Sequence, residues 1–483
     1  MWKQDFSTVD SWFRRLTGLW LHPWGHTRQS EEPLRLLSGP QPAFVRDCPL
    51  AQHTADYLRL LDWSCIPQDA RHWFGHPPLA TATYIAAFLV KLDQGLPTVA
   101  HLHRFLSQHP ALVWGLGFPL VPGPANYGFD PLASLPVHRH FCWVLRTLPN
   151  ELLQRLLDGQ VAWLQSHLPG DFGQAVALDT KHILAWVQEN NPKAYIKEGR
   201  FDKTHQPAGD LDCKLGCKRK HNRQIATPTC EGQPASALSI PIGDYYWGYA
   251  SGVVVTKVAG WGEFVLAEMT QTFDKGDATY FFPLMAQVER RLGFRPRFGA
   301  FDAAFDAFYV YDYFHSPDHN GFAVVPFSEK GNHPTRCFDP DGLPLCEAHL
   351  AMPLKFTYTD RTSAIIPHER AKHVCPLLYP QPNGQTCPIA HKDWGKGGCT
   401  THLANTPGAR LRHQLDRESP AYKVVYNQRT AVERINSQAV ALGIERPKLR
   451  NQQAITNLNT LVYLLINLRA MQRVQTQLQN AHK

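Results

Sequence analysis

The chain of 483 residues is 43% hydrophobic and 19% charged, a composition that supplies a large core and excludes a wholly disordered protein. At roughly 100–200 residues per domain, the length predicts roughly two to four domains or large insertions. Lys and Arg outnumber Asp and Glu by 49 to 41, which is compatible with a polyanionic partner but does not demonstrate one. The cysteines, 11 in number and spread along the chain, exclude a small disulfide scaffold and favour reduced thiols.

No apolar stretch follows the first residues, so we expect no secretory signal. The best candidate for a membrane span, residues 458–468, is too short and is interrupted by Asn459 and Asn467. We therefore expect neither a membrane span nor a membrane partner.

The first third of the chain predicts helices after an irregular start. Residues 1–50 are rich in Trp, Arg and Pro without a regular period, and we expect an irregular N-terminal arm there. Residues 51–170 predict a helical domain. Apolar residues recur at helical spacing in 78–94, and Asn150 is a good N-cap for a helix that carries leucines on one face.

The pattern then changes to alternating strands and helices. It predicts, in chain order, a strand at 175–179, a hairpin of 245–256 and 263–270, a helix at 277–292, a strand at 297–302, a helix to about 315 and a strand at 321–327. Residues 328–420, rich in Cys and Pro, show no period, and helices return at 424–442 and 451–471. This order predicts an α/β fold, with a core formed by 171–327 and 421–483 and an insertion between them.

Three acids occupy positions where an α/β core brings side chains together. Asp179 and Asp302 each end a predicted strand, and active groups commonly lie at the carboxyl ends of such strands. Glu433 follows on the helix after the insertion. Converging carboxylates repel one another unless divalent cations such as Mg²⁺ neutralise them, and two such ions about 3.5–4 Å apart suit phosphoryl transfer. The alternative is that Asp179 and Asp302 are helix N-caps.

Tyr426, Arg429 and Glu433 are spaced by three and four residues, so on a helix they share one face. Arg429 could grip a phosphate beside a metal ligand, and Tyr426 could donate a hydrogen bond or stack on a base. The alternative is an ordinary ion pair between Arg429 and Glu433 on a solvated face.

Five motifs, in this order, resemble those of DDE transposases from bacterial insertion sequences. Tyr426-x-x-Arg429-x-x-x-Glu433 resembles their Y-R-E signature. Ala177-Leu178-Asp179-Thr180-Lys181 is similar to their first-aspartate strand, and Tyr246-Trp247-Gly248-Tyr249 to the strand that starts their hairpin. Phe301-Asp302-Ala303-Ala304-Phe305-Asp306 is similar to their second-aspartate turn, and Val325-Pro326-Phe327 lies where their next strand ends. The fuller signature has a lysine where this chain has Val440, and neither Arg434 nor Lys448 matches its spacing.

The resemblance implies an RNase H-like core in which Asp179, Asp302 and Glu433 are the catalytic residues and hold two Mg²⁺ ions, which Mn²⁺ can replace. Asp306 is the alternative to Asp302. It also implies phosphodiester cleavage at the element ends and strand transfer into target DNA. The expected partners are the terminal inverted repeats and target DNA, bound by a homodimer whose residues 51–170 form a DNA-binding domain. The expected location is the bacterial cytoplasm, in association with the nucleoid.

The densest basic run of the chain includes Lys218, Arg219 and Lys220. A charge run is usually a solvated face, but beside a site for phosphodiester chemistry it predicts contact with a DNA backbone. Together with Tyr426 and Arg429, these residues are the candidate DNA-binding residues.

Two groups of cysteines raise the question of structural zinc. The first has a spacing unlike that of common zinc knuckles and comprises Cys213, Cys217, His221 and Cys230. The second lies in the segment poor in apolar residues, where zinc could stabilise the fold, and comprises Cys346, Cys375, Cys387 and Cys399. Ordinary thiols in loops are the alternative for both groups.

Three other functions remain open at the level of the sequence. The first is a metal-dependent nuclease on the same core, without strand transfer. The second is a non-catalytic DNA-binding protein derived from a transposase. The third is a zinc-stabilised interaction module in which the acids serve only as caps.

Overall fold

The computed structural model describes residues 32–67, 79–191, 200–218, 244–315, 321–328, 336–361 and 365–481. They form two compact units, a helical unit within Met1–Gln160 and Gln453–Lys483 and a sheet unit within Val161–Gln452. The expected α/β class is confirmed, because helices accompany a mixed sheet in the sheet unit. No helix in these ranges is both long and apolar enough to cross a membrane.

The described helices are α1 (Ala43–Arg46), α2 (Pro49–Leu58), α3 (Thr81–Asp93), α4 (Val99–Gln108), α5 (Pro110–Leu116), α6 (Pro131–Ser134), α7 (His138–Thr147), α8 (Asn150–His167), α9 (Phe281–Leu292), α10 (Phe308–Phe314), α11 (Pro407–Gln414), α12 (Pro420–Tyr426), α13 (Arg429–Ala441) and α14 (Gln452–Ala481). The strands are β1 (Val121–Pro122), β2 (Phe129–Asp130), β3 (Ala175–Leu184), β4 (Lys214–Lys218), β5 (Asp244–Val258), β6 (Gly262–Thr272), β7 (Phe298–Ala300), β8 (Phe322–Val324), β9 (Leu354–Asp360), β10 (His368–Val374) and β11 (Thr400–Ala404).

The helical unit is built around α3, which is buried on every side from Ala82 to Leu92. A helix that is apolar all round must lie inside a domain, and this one does. Residues 32–50, for which the sequence predicts an irregular arm, also contribute to this core. Arg35 is buried there and donates hydrogen bonds to the carbonyl oxygens of Trp114 (3.0 Å) and Phe118 (3.1 Å). The described part of the predicted arm is therefore packed and carries a 3-10 turn at Arg35–Leu37 and the helix α1, while residues 1–31 lie outside the described residues.

The C-terminal helix α14 belongs to the helical unit, whereas the sequence assigns it to the sheet core. Its buried residues extend from Ala454 to Val474. Asn457 is buried among them and donates to the carbonyl oxygens of Leu145 (2.9 Å) and Leu148 (2.8 Å), which satisfies its amide inside the helical core. The long apolar face and this polar bond explain where the helix packs.

The main sheet of the sheet unit has the order β4–β5–β3–β7–β8, and β6 pairs with β5 beyond the end of β4. Strand β5 pairs antiparallel with β3 on one side and with β6 on the other. The strands β7 and β8 are parallel to β3 and to each other. The predicted hairpin is present as β5 and β6, and strands form at the other predicted places. However, β3 continues past its predicted end to Leu184, and β4 is a strand that the sequence does not predict. Because β3, β7 and β8 are parallel, all three run toward the same end of the sheet.

Helices α9 and α13 cover opposite faces of this sheet. Asp179 of β3 contacts α13 through Asn436, so its side chain points to that face. Gly252 is paired with Thr180, the next residue of β3, whose side chain points to the other face. A Cβ on Gly252 would lie 2.3 Å from Cδ1 of Tyr280, directly before α9, which explains why this strand position has no side chain.

The segment 328–420, for which the sequence predicts no regular structure, contains a three-stranded antiparallel sheet in the order β11–β10–β9. Its edge strand β9 is exposed on both faces, with Leu354 and Phe356 both partly in solvent. Its sequence, Leu354-Lys355-Phe356-Thr357-Tyr358-Thr359, alternates apolar and polar residues, which is a strand pattern. This pattern is short and lies in a segment rich in Cys and Pro, so the prediction of no regular structure there is wrong.

A buried ion pair joins this segment to the main sheet. The carboxylate of Asp306 is fully buried and accepts hydrogen bonds from Nε (2.7 Å) and Nη2 (2.5 Å) of Arg412 on α11. Tyr311 and the backbone N–H of Ser328 also donate to it, at 3.0 and 2.8 Å. Burial alone would raise the pKa of Asp306, but the hydrogen bonds and the charge of Arg412 outweigh it and lower the pKa.

We expect Asp306→Ala to destabilise the fold by about 3–5 kcal/mol at neutral pH, because it leaves the guanidinium of Arg412 without its partner. The lowered pKa means that the carboxylate stabilises the fold above about pH 4 and that this contribution fades as the pH falls through the folded-state pKa. Urea unfolding at neutral and acidic pH measures both effects. Asp341→Ala, a change at an exposed acid of the same segment, is the control and should cost less than about 0.5 kcal/mol. A loss as small as the control's at neutral pH would contradict this account.

Candidate active site

The register of two parallel strands brings Asp179 and Asp302 together. Ala177 of β3 is paired with Ala300 of β7, and each aspartate lies two residues further along its own chain. The two carboxyl groups therefore lie at the same level, just past the end of β7 and midway along β3, and we call them the acidic pair. Because β3 continues to Leu184, Asp179 neither ends its strand, as the sequence predicts, nor caps a helix, which was the alternative. Asp302 also caps a short 3-10 turn, accepting a hydrogen bond from the N–H of Ala304 at 2.9 Å. Its role as a cap and its place beside Asp179 are both present.

The environment of Asp179 favours its protonated form. Burial raises the pKa of Asp179 to about 6, and the negative charges of Asp302 and Asp277 act in the same direction. A 2.8 Å hydrogen bond from the N–H of Thr180 and the positive charge of Arg429 lower it, but only in part. A carboxyl group that is buried beside other acids and titrates near neutral pH is typical of an active or ligand-binding site.

Helix α13 presents one polar face to the acidic pair. Arg429, Glu433 and Asn436 are spaced by four and three residues along it. The amide Nδ2 of Asn436 donates to Oδ2 of Asp179 at 3.1 Å, although Asn436 itself is almost fully buried. The guanidinium Nη1 of Arg429 donates to Oε1 of Glu433 at 2.8 Å.

Glu433 is the acid that the structure leaves apart from the acidic pair. Its side chain is 54% exposed and its carboxylate is held by Arg429, which is the ordinary ion pair that the sequence left open. Within the described ranges, no three side chains of His, Cys, Asp or Glu are grouped closely enough to hold a metal ion.

Two buried polar atoms beside the acidic pair have no hydrogen-bond partner in the described structure. They are Oδ1 of Asn436 and Nε of Arg429. An unsatisfied acceptor and an unsatisfied donor are costly in a protein interior, and such atoms commonly mark a place for a ligand or water. Both lie on the same helix face, next to a carboxyl group with a raised pKa.

The sequence did not identify Asp277, Thr180 or Asn436 as parts of this site. Thr180 donates from Oγ1 to Oδ1 of Asp277 at 2.8 Å, and Asp277 also raises the pKa of Asp179. Asp277 begins a predicted helix, where an acid is read as a cap. Asn436 carried one signal, because it follows Glu433 by three residues and therefore lies on the same helix face.

The remaining predicted site residues lie as follows. Tyr426 ends α12 and stacks on Tyr422 with 6.0 Å between ring centroids, while Arg429 begins α13, so the one predicted helix is two. In the turn between them, backbone N–H groups bond to the carbonyl oxygens three residues earlier, as in a 3-10 helix. In such a turn, side chains three residues apart, such as those of Tyr426 and Arg429, point to the same side. Lys218 is exposed at the end of β4. Arg219 and Lys220 lie outside the described residues.

Asp306, the alternative to Asp302, is engaged by Arg412 as described above. Each of its oxygen atoms accepts two hydrogen bonds within the chain. A carboxylate with this coordination has little capacity left for a ligand. The geometry therefore favours Asp302 as the partner of Asp179.

The two cysteine groups differ in their surroundings. Cys213 is buried, and burial raises the pKa of its thiol to about 12, while His221 and Cys230 lie outside the described residues. In the second group, burial and the neighbouring thiols of Cys375 and Cys346 raise the pKa of Cys399 to about 12. These three thiols influence one another, but like the other described residues they are not grouped closely enough to hold a metal ion, so the structure gives no support to zinc in the group that they form with Cys387.

We expect Asp179→Asn to stabilise the fold at about pH 8, by up to about 3 kcal/mol, with the gain vanishing below about pH 4. The reason is that folding raises the pKa of Asp179 from 3.8 to about 6, so wild-type stability declines as the pH rises through this range. The new amide can still accept from Thr180, and Asn436 can turn its unpartnered Oδ1 towards it. Urea unfolding across this pH range measures the difference. A gain that is the same at every pH would refute the assignment.

No protein-family model, no curated protein and no solved structure matches this chain. The chemistry of the site therefore has to follow from its own geometry. That geometry is an acidic pair on neighbouring parallel strands, faced by an arginine, a glutamate and an asparagine on one helix.

Proposed function

We propose that this chain is a DNA transposase of the DDE type, which cleaves phosphodiester bonds at the ends of a mobile element and transfers the strand into target DNA. The observation that carries the proposal is the acidic pair. Two aspartates from distant parts of the sequence lie side by side, and the arginine of the Y-R-E sequence acts on the pKa of one of them. Structural caps alone do not require that arrangement.

An RNase H-like core is part of the proposal. It is supported by the antiparallel strands β3, β5 and β6, with the short strand β4 between β3 and β5 in the chain, followed by two strands parallel to β3. Asp179 lies within β3 and Asp302 lies two residues after β7, and the helix with Glu433 packs on the face to which Asp179 points.

The acidic pair suits a divalent cation in its chemistry. Mg²⁺ and Mn²⁺ prefer carboxylate oxygens, and a cation would replace the proton that repulsion and burial favour on Asp179. Asp179 and Asp302 would hold the metal, with Glu433 as the third ligand once its carboxylate leaves Arg429. When bound, the metal would lower the pKa of an attacking water or hydroxyl and neutralise charge on the phosphate.

Arg429 would link DNA binding to the arrangement of the acids. Its guanidinium now bonds the carboxylate of Glu433, and a DNA phosphate would compete for the same nitrogen atoms. Transfer of Arg429 to the phosphate would free Glu433 to join Asp179 and Asp302. Asn436 would hold the carboxyl group of Asp179 in place, and Tyr426 would contact the DNA beside Arg429. The proposed DNA partners are the inverted repeats and the target, bound by a homodimer.

A second function is favoured by one observation. The carboxylate of Glu433 is exposed and paired with Arg429. In a DNA-binding protein without cleavage activity, this ion pair would never have to open, because Glu433 would not bind a metal. A nuclease on the same core would differ from a transposase only in its products, because it would not join the cut strand to new DNA.

We expect Mg²⁺-dependent cleavage of a DNA duplex that carries the element's own end, and none in EDTA. Glu433→Gln and Asp302→Asn should each reduce the rate by about a hundredfold or more, since each removes a proposed metal ligand. Asp341→Asn, at an exposed acid away from the acidic pair, should cleave like wild type. Gel analysis of cut and joined strands measures both steps.

The outcomes separate the candidates. Joined strands support the transposase, and cut strands that are never joined support the nuclease. Binding to the element end with no cutting by wild type would overturn both in favour of the DNA-binding protein. Full activity of Glu433→Gln would remove Glu433 from the site.

A further inference from the structure

Three exposed cations follow one another just after α13. Arg446, Lys448 and Arg450 are exposed, while Pro447 between the first two is buried and Leu449 is half-buried. We call the three cations the basic ridge. None of them forms an ion pair with any residue in the described ranges, and Arg450 stacks on the ring of Trp186 at 5.4 Å. Unpaired, regularly exposed cations are the pattern of a surface that binds a polyanion.

The backbone that carries the basic ridge is fixed at both ends. On one side, the carbonyl oxygen of Glu445 accepts from the N–H of Leu184 (2.9 Å), the last residue of β3. On the other side, Asp212 accepts from the amide of Asn451 and from the N–H of Gln452, both at 2.9 Å. The cations are therefore presented from a defined position rather than from a free loop.

This position relates the basic ridge to the acidic pair. Leu184 lies five residues beyond Asp179 on β3, which is about 17 Å along the strand, or about five base pairs of B-DNA. The basic strand β4 lies at the same end, since Lys214 and Leu184 both pair with Gly248. Trp186, 52% exposed, extends the same end of the sheet.

We infer that the basic ridge binds the phosphate backbone of the DNA whose cleavage site lies at the acidic pair, about five base pairs from it. The inference rests on the proposed function and adds a surface that the Y-R-E sequence does not contain. Each ridge cation would neutralise one phosphate. Trp186 would hold the guanidinium of Arg450 in place by stacking, while Arg446 and Lys448 reach the backbone directly.

The test compares two double variants that remove the same charges. Arg446→Gln with Lys448→Gln alters the basic ridge. Lys257→Gln with Arg297→Gln is the matched control, because it removes one lysine and one arginine that are exposed at the opposite end of the sheet. Binding of a labelled duplex that carries the element end is measured by fluorescence anisotropy in EDTA over a series of salt concentrations, so that no cleavage interferes.

We expect the ridge variant to lower the slope of log K against log salt by about 2, at about 0.9 for each lost phosphate contact. Its affinity at moderate salt should fall on the order of tenfold, and protection of the backbone should be lost about five nucleotides from the cut. The control variant should keep the wild-type slope. Both variants should unfold at the wild-type temperature, because all four side chains are exposed.

Three results would overturn the inference. If the ridge variant keeps the wild-type slope while wild type binds and cleaves, the ridge is not a DNA surface although the proposed function stands. If wild type neither binds nor cleaves the duplex, the proposed function fails and the ridge assignment fails with it. If both variants lose the same salt slope and the same affinity, the ridge cations contribute only through the overall charge of the protein and do not form a specific DNA surface.

Discussion

The parallel register of β3 and β7 holds two carboxyl groups at one level of the sheet, and the site depends on how their repulsion is met. Because the strands cannot slip without moving every buried side chain to the wrong face, Asp179 cannot leave Asp302. The charge of Arg429 and the amide of Asn436 relieve the repulsion in part, and the raised pKa of Asp179 shows that the relief is incomplete. The same features leave the site suited to a cation and a phosphate.

Burial of two aspartates of the sheet unit, Asp306 and Asp179, is compensated in opposite ways. Asp306 has a cation of its own in Arg412 and all its acceptor positions are used, so it joins two segments and takes no further part. Asp179 has only partial compensation, and its pKa is raised rather than lowered. The contrast separates a structural acid from a candidate functional one on physical grounds, since the two lie in the same unit and are both largely buried.

The hairpin of β5 and β6 and the start of β3 could be predicted from sequence because they are apolar runs. However, β3 continues past its predicted end at Asp179, and β4 lies in a basic, polar stretch where no strand is predicted. The strand β9 alternates apolar and polar residues, but it escapes prediction because it is short and lies in a segment rich in Cys and Pro. The position of α14 also escaped, since an apolar helix face does not say which core it joins. For the site, acids at predicted strand ends identified Asp179 and Asp302, although Asp179 lies within β3 rather than at its end. The contacts of Asp277 and Asn436 depend on tertiary packing, and the spacing of Arg429 and Glu433 fits an ion pair and a phosphate clamp equally well.

The helix α14 follows the sheet unit in the chain, yet it belongs to the helical unit whose other described helices precede the sheet unit. The sheet unit is therefore an insertion between two parts of one helical core. During synthesis, the sheet unit with all three acids leaves the ribosome before the helical core has its last helix. A chain that stops early would keep Asp179, Asp302 and Glu433 but would expose the apolar surface that α14 covers. Incomplete copies of this protein would thus be removed or would aggregate, even though their acids are intact.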